Sequence, residues 1–152
     1  QRIGIPYLYD SGMQIPRLQP EDLIKGILGA RIVIFNEYEY EMMRKKTGLT
    51  MDDILDRVEI AVITLGEKGS ELRTRNETVR VRAAKPTRVV DPTGAGDAYR
   101  AGLLKGYFED AGLEEMGKYA SVTSVYAVEH LGATEHRYTL DEFYTRYREN
   151  FG

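Results

Sequence analysis

Two largely apolar runs, at positions 31–35 and 60–65, constrain the fold of this chain more than any other feature. Turn residues bound each run, and segments with helical spacing lie between them. A similar run at 3–9 and the pair Val89–Val90 extend the pattern, so we predict a strand at each of the four places. Strands that alternate with helices favour a mostly parallel sheet with helices on both faces. The sequence therefore predicts an α/β protein.

The segments between the predicted strands carry helix start and stop signals. Pro20 suits the first position of a helix that ends at Gly29, and Gly48 closes a second helix predicted over 37–46. Thr50 with Asp53 resembles the capping box of a short helix running to residue 58.

The second half of the chain departs from this alternation. Residues 70–75 and 78–83 read as two strands of an antiparallel hairpin. Helices are then predicted over 95–110, 113–131 and 140–150, and Thr139 with Glu142 opens the last of them.

Length and composition narrow the class of protein. The 152 residues are 42% hydrophobic and 30% charged with a net charge of −3, which predicts one globular domain over 1–152 without the basic excess of a nucleic-acid or membrane-surface binder. No window approaches a membrane span, and the N-terminus lacks a signal-peptide pattern, so we expect a cytoplasmic protein. Because the chain has no Cys, disulfides, thiolate catalysis and Cys-based zinc sites are excluded, and two His are too few for a His-rich metal centre.

A glycine-rich turn follows the fourth predicted strand, in the stretch DPTGAGDAYRAGLL. In open α/β sheets, ligands bind beyond the carboxyl ends of the strands. Gly94 and Gly96 let backbone N–H groups turn inward, and the helix that begins at Ala95 adds its positive dipole end, roughly half a unit charge. Asp97 lies in the first helical turn. The arrangement predicts an anion site beside a carboxylate that can accept a proton from a hydroxyl.

Other interpretations of this turn stay open at this point. An Asp in the first turn of a helix is a common cap, and glycine-rich turns often serve only to reverse the chain. Counted from Gly94, the third glycine of a dinucleotide fingerprint is replaced by Tyr99, which disfavours a nicotinamide site. The sequence contains no Walker-type phosphate loop.

The fourteen residues DPTGAGDAYRAGLL resemble, at every restricted position, the C-terminal signature of the ribokinase or PfkB family of carbohydrate and nucleoside kinases. FNEYEYE carries Asn36 and Glu39 like the family's N-x-x-E motif, and VITLGEKGS carries Thr64, Gly66 and Gly69 like its nucleotide loop. The resemblance covers the whole chain and leans mildly towards the adenosine-kinase-like branch. It implies a ribokinase-like three-layer α/β/α sandwich with a mostly parallel sheet.

The resemblance implies an ATP-dependent kinase that phosphorylates a primary hydroxyl of a sugar or nucleoside. Asp97 would be the general base, and the N–H groups of Gly94, Ala95 and Gly96 would stabilise the transferring phosphoryl group. The implied nucleotide-binding residues are Asn36, Thr64, Gly66, Gly69, Ala120 and Ser124. Close helix packing explains the small residues Ala120 and Ser124 equally well.

Two kinds of cation are implied by the same resemblance. Asn36 and Glu39 would organise Mg²⁺ and phosphate, mainly through water, although Asn36 also suits a helix cap and Glu39 a solvated acid. Some relatives hold a monovalent cation such as K⁺ behind the anion site. The residues that would surround it here are Asp91, Thr93, Ala127, His130, Gly132 and His136, while helix-end and surface-loop roles are the alternatives for the two His.

Family members also have an N-terminal half with a Gly-Gly substrate motif, acidic acceptor contacts and a small β-sheet lid. This chain shows no counterpart of that half, so we expect it to be the nucleotide-binding and catalytic portion. The expected partners are ATP and a small sugar or nucleoside, with homodimer formation as a further expectation. The alternative function is a non-catalytic nucleotide-binding module, or a fragment that is inactive without the other half.

Overall fold

A computed structural model describes residues 4–152, and these contain five β-strands and six α-helices. The strands are β1 (Leu8–Asp10), β2 (Ile32–Asn36), β3 (Ile60–Thr64), β4 (Ser70–Arg73) and β5 (Thr78–Val81). The helices are α1 (Pro20–Leu28), α2 (Glu37–Thr47), α3 (Met51–Leu55), α4 (Ala95–Phe108), α5 (Leu113–Val128) and α6 (Leu140–Phe151).

The strands form one sheet in the order β1-β2-β3-β4-β5. β1 pairs with β2 and β2 with β3 in parallel, whereas β3 and β4 are antiparallel. The predicted mostly parallel sheet is therefore confirmed for the first three strands: α1 connects β1 to β2, and α2 and α3 connect β2 to β3, as parallel pairing requires.

The chain divides into two compact units. Unit 1 comprises Gln1–Gly66 and Ser70–Val79, and unit 2 comprises Glu67–Gly69 and Arg80–Gly152. A single domain over 1–152 stays a prediction.

The core of unit 1 lies where β2 and β3 meet the first three helices. The first four residues of each strand are buried, as expected for strands inside a parallel sheet. The side chains that fill this core are Leu23 and Ile27 of α1, Val33 and Phe35 of β2, Met43 of α2, Ile54 of α3, and Ala61 and Ile63 of β3.

Local capping fixes the helix ends of unit 1 as the sequence predicts. Pro20 is the first residue of α1, and Gly48 ends α2 in the left-handed conformation at φ 76°. Thr50 and Asp53 form the predicted capping box, but α3 ends at Leu55, three residues before the predicted end. In this box Asp53 Oδ2 accepts from the Thr50 amide and Thr50 Oγ1 accepts from the Asp53 amide, so two backbone N–H groups at the start of α3 have side-chain partners.

Unit 2 is built on α4, α5 and α6. Gly102 and Gly106 of α4 lie against α5, and a Cβ at Gly102 would meet the Thr123 Oγ1 atom at 2.3 Å. The two helices can approach this closely because neither glycine carries a side chain. On another side of α5, Val122, Val125 and Tyr126 pack with Phe143 of α6 and with Ala84.

Two predicted strands differ from the structure. Of the strand predicted over 3–9, Ile3 lies outside the described residues, residues 4–7 are not in a strand, and β1 begins at Leu8. Pro6 cannot donate a ladder hydrogen bond, and Gly4 has a φ of 69°, so this stretch cannot continue the strand.

Val89 and Val90 were predicted to form a strand and do not. Both side chains are exposed, and the Val90 amide donates to the Val128 carbonyl oxygen at the end of α5 rather than to a strand.

Smaller differences occur at element ends. The predicted helices 95–110 and 113–131 end at Phe108 and Val128 respectively. The predicted hairpin is present as the adjacent strands β4 and β5, joined by a turn that the Thr74 amide closes by donating to the Glu77 carbonyl oxygen.

Of the helices in the described part of the chain, none combines the length and the apolar composition needed to span a membrane.

Candidate active site

The glycine-rich turn in unit 2 leads directly into α4, and we refer to residues 91–97 as the anion turn. Gly94 is the N-cap of α4, with a φ of 81° and no side-chain cap. The Ala95 amide donates to the Pro92 carbonyl oxygen at 3.1 Å. The amides of Gly96 and Asp97 lie in the first turn of α4, where backbone N–H groups have no hydrogen-bond acceptor within the helix. Together with the helix dipole, such amides favour the binding of an anion.

Gly94 also lies closer to Ala133 than a residue with a side chain could. A Cβ at this position would meet the Ala133 Cα atom at 2.7 Å and the Ala133 carbonyl oxygen at 2.8 Å. Gly94 is therefore required by backbone conformation and by space at once. At Gly96, by contrast, the nearest atom to an added Cβ would be Arg100 Nη1 at 3.9 Å.

The Asp91 side chain accepts two hydrogen bonds that hold the anion turn in place. One carboxylate oxygen accepts from the Thr93 amide at 2.9 Å, and the other accepts from the Gly132 amide at 2.9 Å. Hydrogen bonds from the side chain and the amide of Thr93, and from the amide of Gly132, hold the pKa of Asp91 below its ordinary value of 3.8. The ionised carboxylate thus links the anion turn to the loop that follows α5.

Asp97, the predicted base, lies in the first turn of α4 with 69% of its side chain exposed. Its carboxylate forms an ion pair with Arg100, one turn further along the same helix. Pairs at this spacing on a helix surface are worth about 0.2–0.5 kcal/mol. This ion pair therefore holds the Asp97 carboxylate only weakly. The i, i+3 spacing of the two residues is a signal for this pair that the sequence interpretation missed.

The two small residues of α5 in the predicted nucleotide site differ in their surroundings. Ala120 has no exposed surface, and its Cα atom lies 2.7 Å from the Cβ position of Gly102. Ser124 is partly exposed, and its hydroxyl donates to the carbonyl oxygen of Ala95 at 3.2 Å. Ser124 therefore lies beside the anion turn, whereas Ala120 lies in the α4–α5 contact.

Unit 1 brings a second group of predicted residues together at the carboxyl ends of its strands. Asn36 and Thr64 end β2 and β3 and are directly paired in register. Asn36 and Glu39 form a capping box: the Asn36 side chain accepts from the Glu39 amide at 2.8 Å, and Glu39 Oε2 accepts from the Asn36 amide at 2.9 Å. The helix-cap interpretation of Asn36 is therefore correct as a structural role, with Glu39 as the second member of the capping box.

The two glycines of the predicted nucleotide loop have positive φ angles, 60° at Gly66 and 101° at Gly69. A Cβ at Gly66 would meet no atom of the described residues within 4 Å, whereas at Gly69 it would lie 2.0 Å from the Val81 carbonyl oxygen. Gly66 thus leaves open space at the end of β3. Gly69 is needed for close packing against the end of β5.

The residues predicted to surround a monovalent cation are only partly gathered. Asp91, Thr93 and Gly132 are joined by the hydrogen bonds of the anion turn, and Ala127 is completely buried in α5. His130 Nδ1 lies 2.8 Å from the Tyr126 carbonyl oxygen. His136 Nδ1 is buried and has no hydrogen-bond partner among residues 4–152. Among the described residues, no group of three or more His, Asp or Glu side chains could hold a metal ion by itself.

Comparisons with known proteins agree with this geometry. A family model described as pfkB family carbohydrate kinase matches residues 7–139. A nucleoside kinase from Methanocaldococcus jannaschii is 33% identical over 138 residues, which cover 91% of this chain and 46% of that protein. A sugar kinase of uncharacterized function from Archaeoglobus fulgidus is 32% identical over 129 residues, covering 84% of this chain and 51% of that protein.

Solved structures give the same result. The nucleoside kinase of Burkholderia thailandensis in complex with inosine superposes with a TM-score of 0.94 at 34% identity, covering 98% of this chain and 50% of that one. Its complex with ADP-inosine gives a TM-score of 0.92 at 34% identity and covers 98% and 47%.

A mostly parallel sheet together with a glycine-rich helix start defines an α/β protein of the ribokinase type. The chain belongs to the pfkB family of carbohydrate kinases, as the motifs of the sequence indicate. It spans about half the length of the curated relatives it matches.

Proposed function

We propose that the natural protein containing this chain transfers the γ-phosphoryl group of ATP to a primary hydroxyl of a nucleoside. The observation that carries this proposal is the anion turn, where an exposed carboxylate and the amides at the start of α4 lie within one helical turn. Phosphoryl transfer needs little covalent help from a protein beyond positioning and charge stabilisation, and this turn offers both.

In the proposed reaction, the acceptor hydroxyl oxygen attacks the γ-phosphorus while its proton passes to the Asp97 carboxylate. The bond to the β-phosphate oxygen breaks, and ADP leaves. The amides of Gly94, Ala95 and Gly96 stabilise the charge on the transferring group, at about 3 kcal/mol for each well-aimed donor. Ala95 contributes only after its hydrogen bond to Pro92 opens, because its amide is engaged in the structure.

The nucleotide-binding roles predicted from the sequence for Thr64, Gly66, Gly69 and Ser124 are kept in this proposal. Asn36 and Glu39 would hold the water ligands of a bound Mg²⁺, which would supply positive charge to neutralise the phosphates. Ala120 would act only by shaping the α4–α5 contact, since it has no exposed surface.

A nucleoside is favoured over a simple sugar as acceptor because two of the relatives described above are nucleoside kinases, one of them solved in complex with inosine. The sugar kinase relative keeps a sugar acceptor as the second candidate. A K⁺ requirement, a cytoplasmic location and a homodimer stay predictions of the sequence.

The proposal is tested by measuring ADP release by the natural protein in the presence of ATP and Mg²⁺. Inosine, adenosine and ribose are supplied in turn as the acceptor. We expect turnover with a nucleoside and a fall in kcat of about 10²–10⁴-fold for Asp97→Asn, because the proton acceptor is lost. Asp110→Asn is the matched control: Asp110 is exposed beyond the other end of α4, and Asn tolerates its φ of 52° equally well.

An unchanged kcat in Asp97→Asn would reject the base assignment. ATP binding without turnover of any of the three acceptors would instead favour the non-catalytic nucleotide-binding module.

A further inference from the structure

The segment that leads from β5 to the anion turn, residues 84–91, is held by buried side chains instead of a neighbouring strand. The Ala84 amide donates to Ser121 Oγ at 2.7 Å, and the Lys85 amide donates to Asn150 Oδ1 at 2.8 Å. The Thr87 amide donates to Glu129 Oε1 at 2.6 Å. The three acceptors, Ser121, Glu129 and Asn150, are each at least 91% buried. Helices α5 and α6 thus supply the acceptors that a sheet would otherwise provide.

The far end of this segment is anchored to the same part of α5. The amides of Val90 and Asp91 both donate to the Val128 carbonyl oxygen, at 2.9 and 3.2 Å. Arg88 Nε donates to the Glu129 carbonyl oxygen at 3.1 Å. Because Asp91 in turn accepts from Thr93, displacement of the segment would be passed directly to the anion turn.

Glu129 is itself held in place by a residue of α6. Arg146 Nη1 lies 2.8 Å from Glu129 Oε1, and the Arg146 guanidinium lies over the Tyr126 ring at 4.9 Å from its centroid. The exposed fractions of the paired side chains are 7% for Glu129 and 14% for Arg146. Burial alone would raise the pKa of Glu129, but hydrogen bonds from Arg146 and Thr87 outweigh it and leave the pKa below its ordinary value. The carboxylate is thus ionised and can accept from both partners.

We propose that Glu129 is a positioning residue for phosphoryl transfer, oriented by Arg146 and acting through the Thr87 amide on residues 87–91 and the anion turn. The proposal rests on the proposed function and deepens it. A pair that served only to join α5 to α6 would have no need of the third contact, to an amide in neither helix. That contact joins the pair to the segment that carries Asp91.

Two double variants separate the positioning role from a purely structural one. Glu129→Gln with Arg146→Gln removes both charges but keeps an amide oxygen for Thr87 and a hydrogen bond between the two side chains. Glu129→Leu with Arg146→Met also removes both charges but leaves the Thr87 amide without an acceptor. Neither variant buries an unpaired charge, so both are expected to fold, since apolar replacement of a buried ion pair is often neutral or stabilising.

Each variant is made in the natural protein, and kcat, the KM for ATP, the thermal midpoint and the hydrogen exchange of peptides covering 85–97 are measured. For the Leu/Met variant we expect kcat to fall about tenfold or more with KM for ATP within about threefold, since a small displacement of a catalytic turn affects the transition state more than binding. Exchange should also accelerate across 85–97. The Gln/Gln variant should keep kcat within about threefold of the unaltered protein, with unaltered exchange.

Equal kcat values and equal hydrogen exchange in the two double variants would overturn the proposal. So would a kcat that falls only in proportion to the loss of thermal stability, because that result would indicate a purely structural role. If the unaltered protein turns over none of the acceptors, the proposed function fails, and hydrogen exchange alone then decides whether Glu129 holds the anion turn.

Discussion

Replacement of Gly94 by Ala combines two destabilising effects that the structure allows to be separated. At a φ of 81° the alanine Cβ is strained, at a cost of about 1–2 kcal/mol. The same Cβ would lie 2.7–2.9 Å from three atoms of Ala133, two of them backbone atoms that cannot rotate away. Overpacking of this kind costs about 1–3 kcal/mol. We therefore expect Gly94→Ala to lower the free energy of unfolding by about 2–5 kcal/mol.

Gly48→Ala is the matched control, because Gly48 has a φ of 76° but nothing within 4 Å of the Cβ position. Both variants replace glycine by alanine, so the change in the unfolded chain is the same in each and cancels in the difference. Urea unfolding of the two variants should thus differ by about 1–3 kcal/mol, which measures the Ala133 contact alone. Addition of Ala133→Gly to Gly94→Ala should restore little, since the Cα and carbonyl oxygen of residue 133 remain.

Equal unfolding free energies for Gly94→Ala and Gly48→Ala would show that the loop at residue 133 moves aside freely. The anion turn would then not be held from that side, and space would not be what requires glycine at position 94. Full rescue by Ala133→Gly would likewise show that the side chain of residue 133, rather than its backbone, limits the space.

Two further predictions concern single side chains. Because the folded-state pKa of Asp91 is depressed, its contribution to stability is fully present above the ordinary value of 3.8 and is lost as the pH falls through the lower folded value. Asp91→Asn should therefore flatten the fall of the thermal midpoint below about pH 4, and an unaltered pH profile would contradict this. Thr139→Ala removes the side-chain acceptor of the α6 capping box and should cost about 1 kcal/mol in urea unfolding. Thr145→Ala, at an exposed position inside α6, is its control and should cost nothing, because Ala is the better helix former.

The elements that sequence predicts best are those whose cause lies within a few residues. The capping boxes of α2, α3 and α6 each join positions three apart, so both partners can be read together in the chain. The buried strands β2 and β3 are recognised because a strand covered on both faces must be apolar throughout. The same reasoning fails at Val89–Val90, since two apolar residues do not show whether a partner strand lies beside them.

The sequence likewise predicted some parts of the candidate site and missed others. The sequence indicates the glycines and the carboxylate of the anion turn, because helix start, dipole and glycine conformation are local properties. It gives no indication of what holds that turn in place. Ser121, Glu129 and Asn150 are 37, 42 and 65 residues from the amides they accept from.

The sequence by itself determined the order of the strands and helices apart from the strand wrongly predicted at Val89–Val90, the family, and the position of the glycine-rich turn, because periodicity, caps and a fourteen-residue motif are all contained in short stretches. Only the tertiary structure decided that Gly94 must be glycine against Ala133. It alone also showed that Glu129 pairs with Arg146 and accepts a hydrogen bond from the Thr87 amide, in the segment that leads to the anion turn. The physical reason is that space and buried hydrogen-bond acceptors are set by residues that folding brings together from distant positions in the chain.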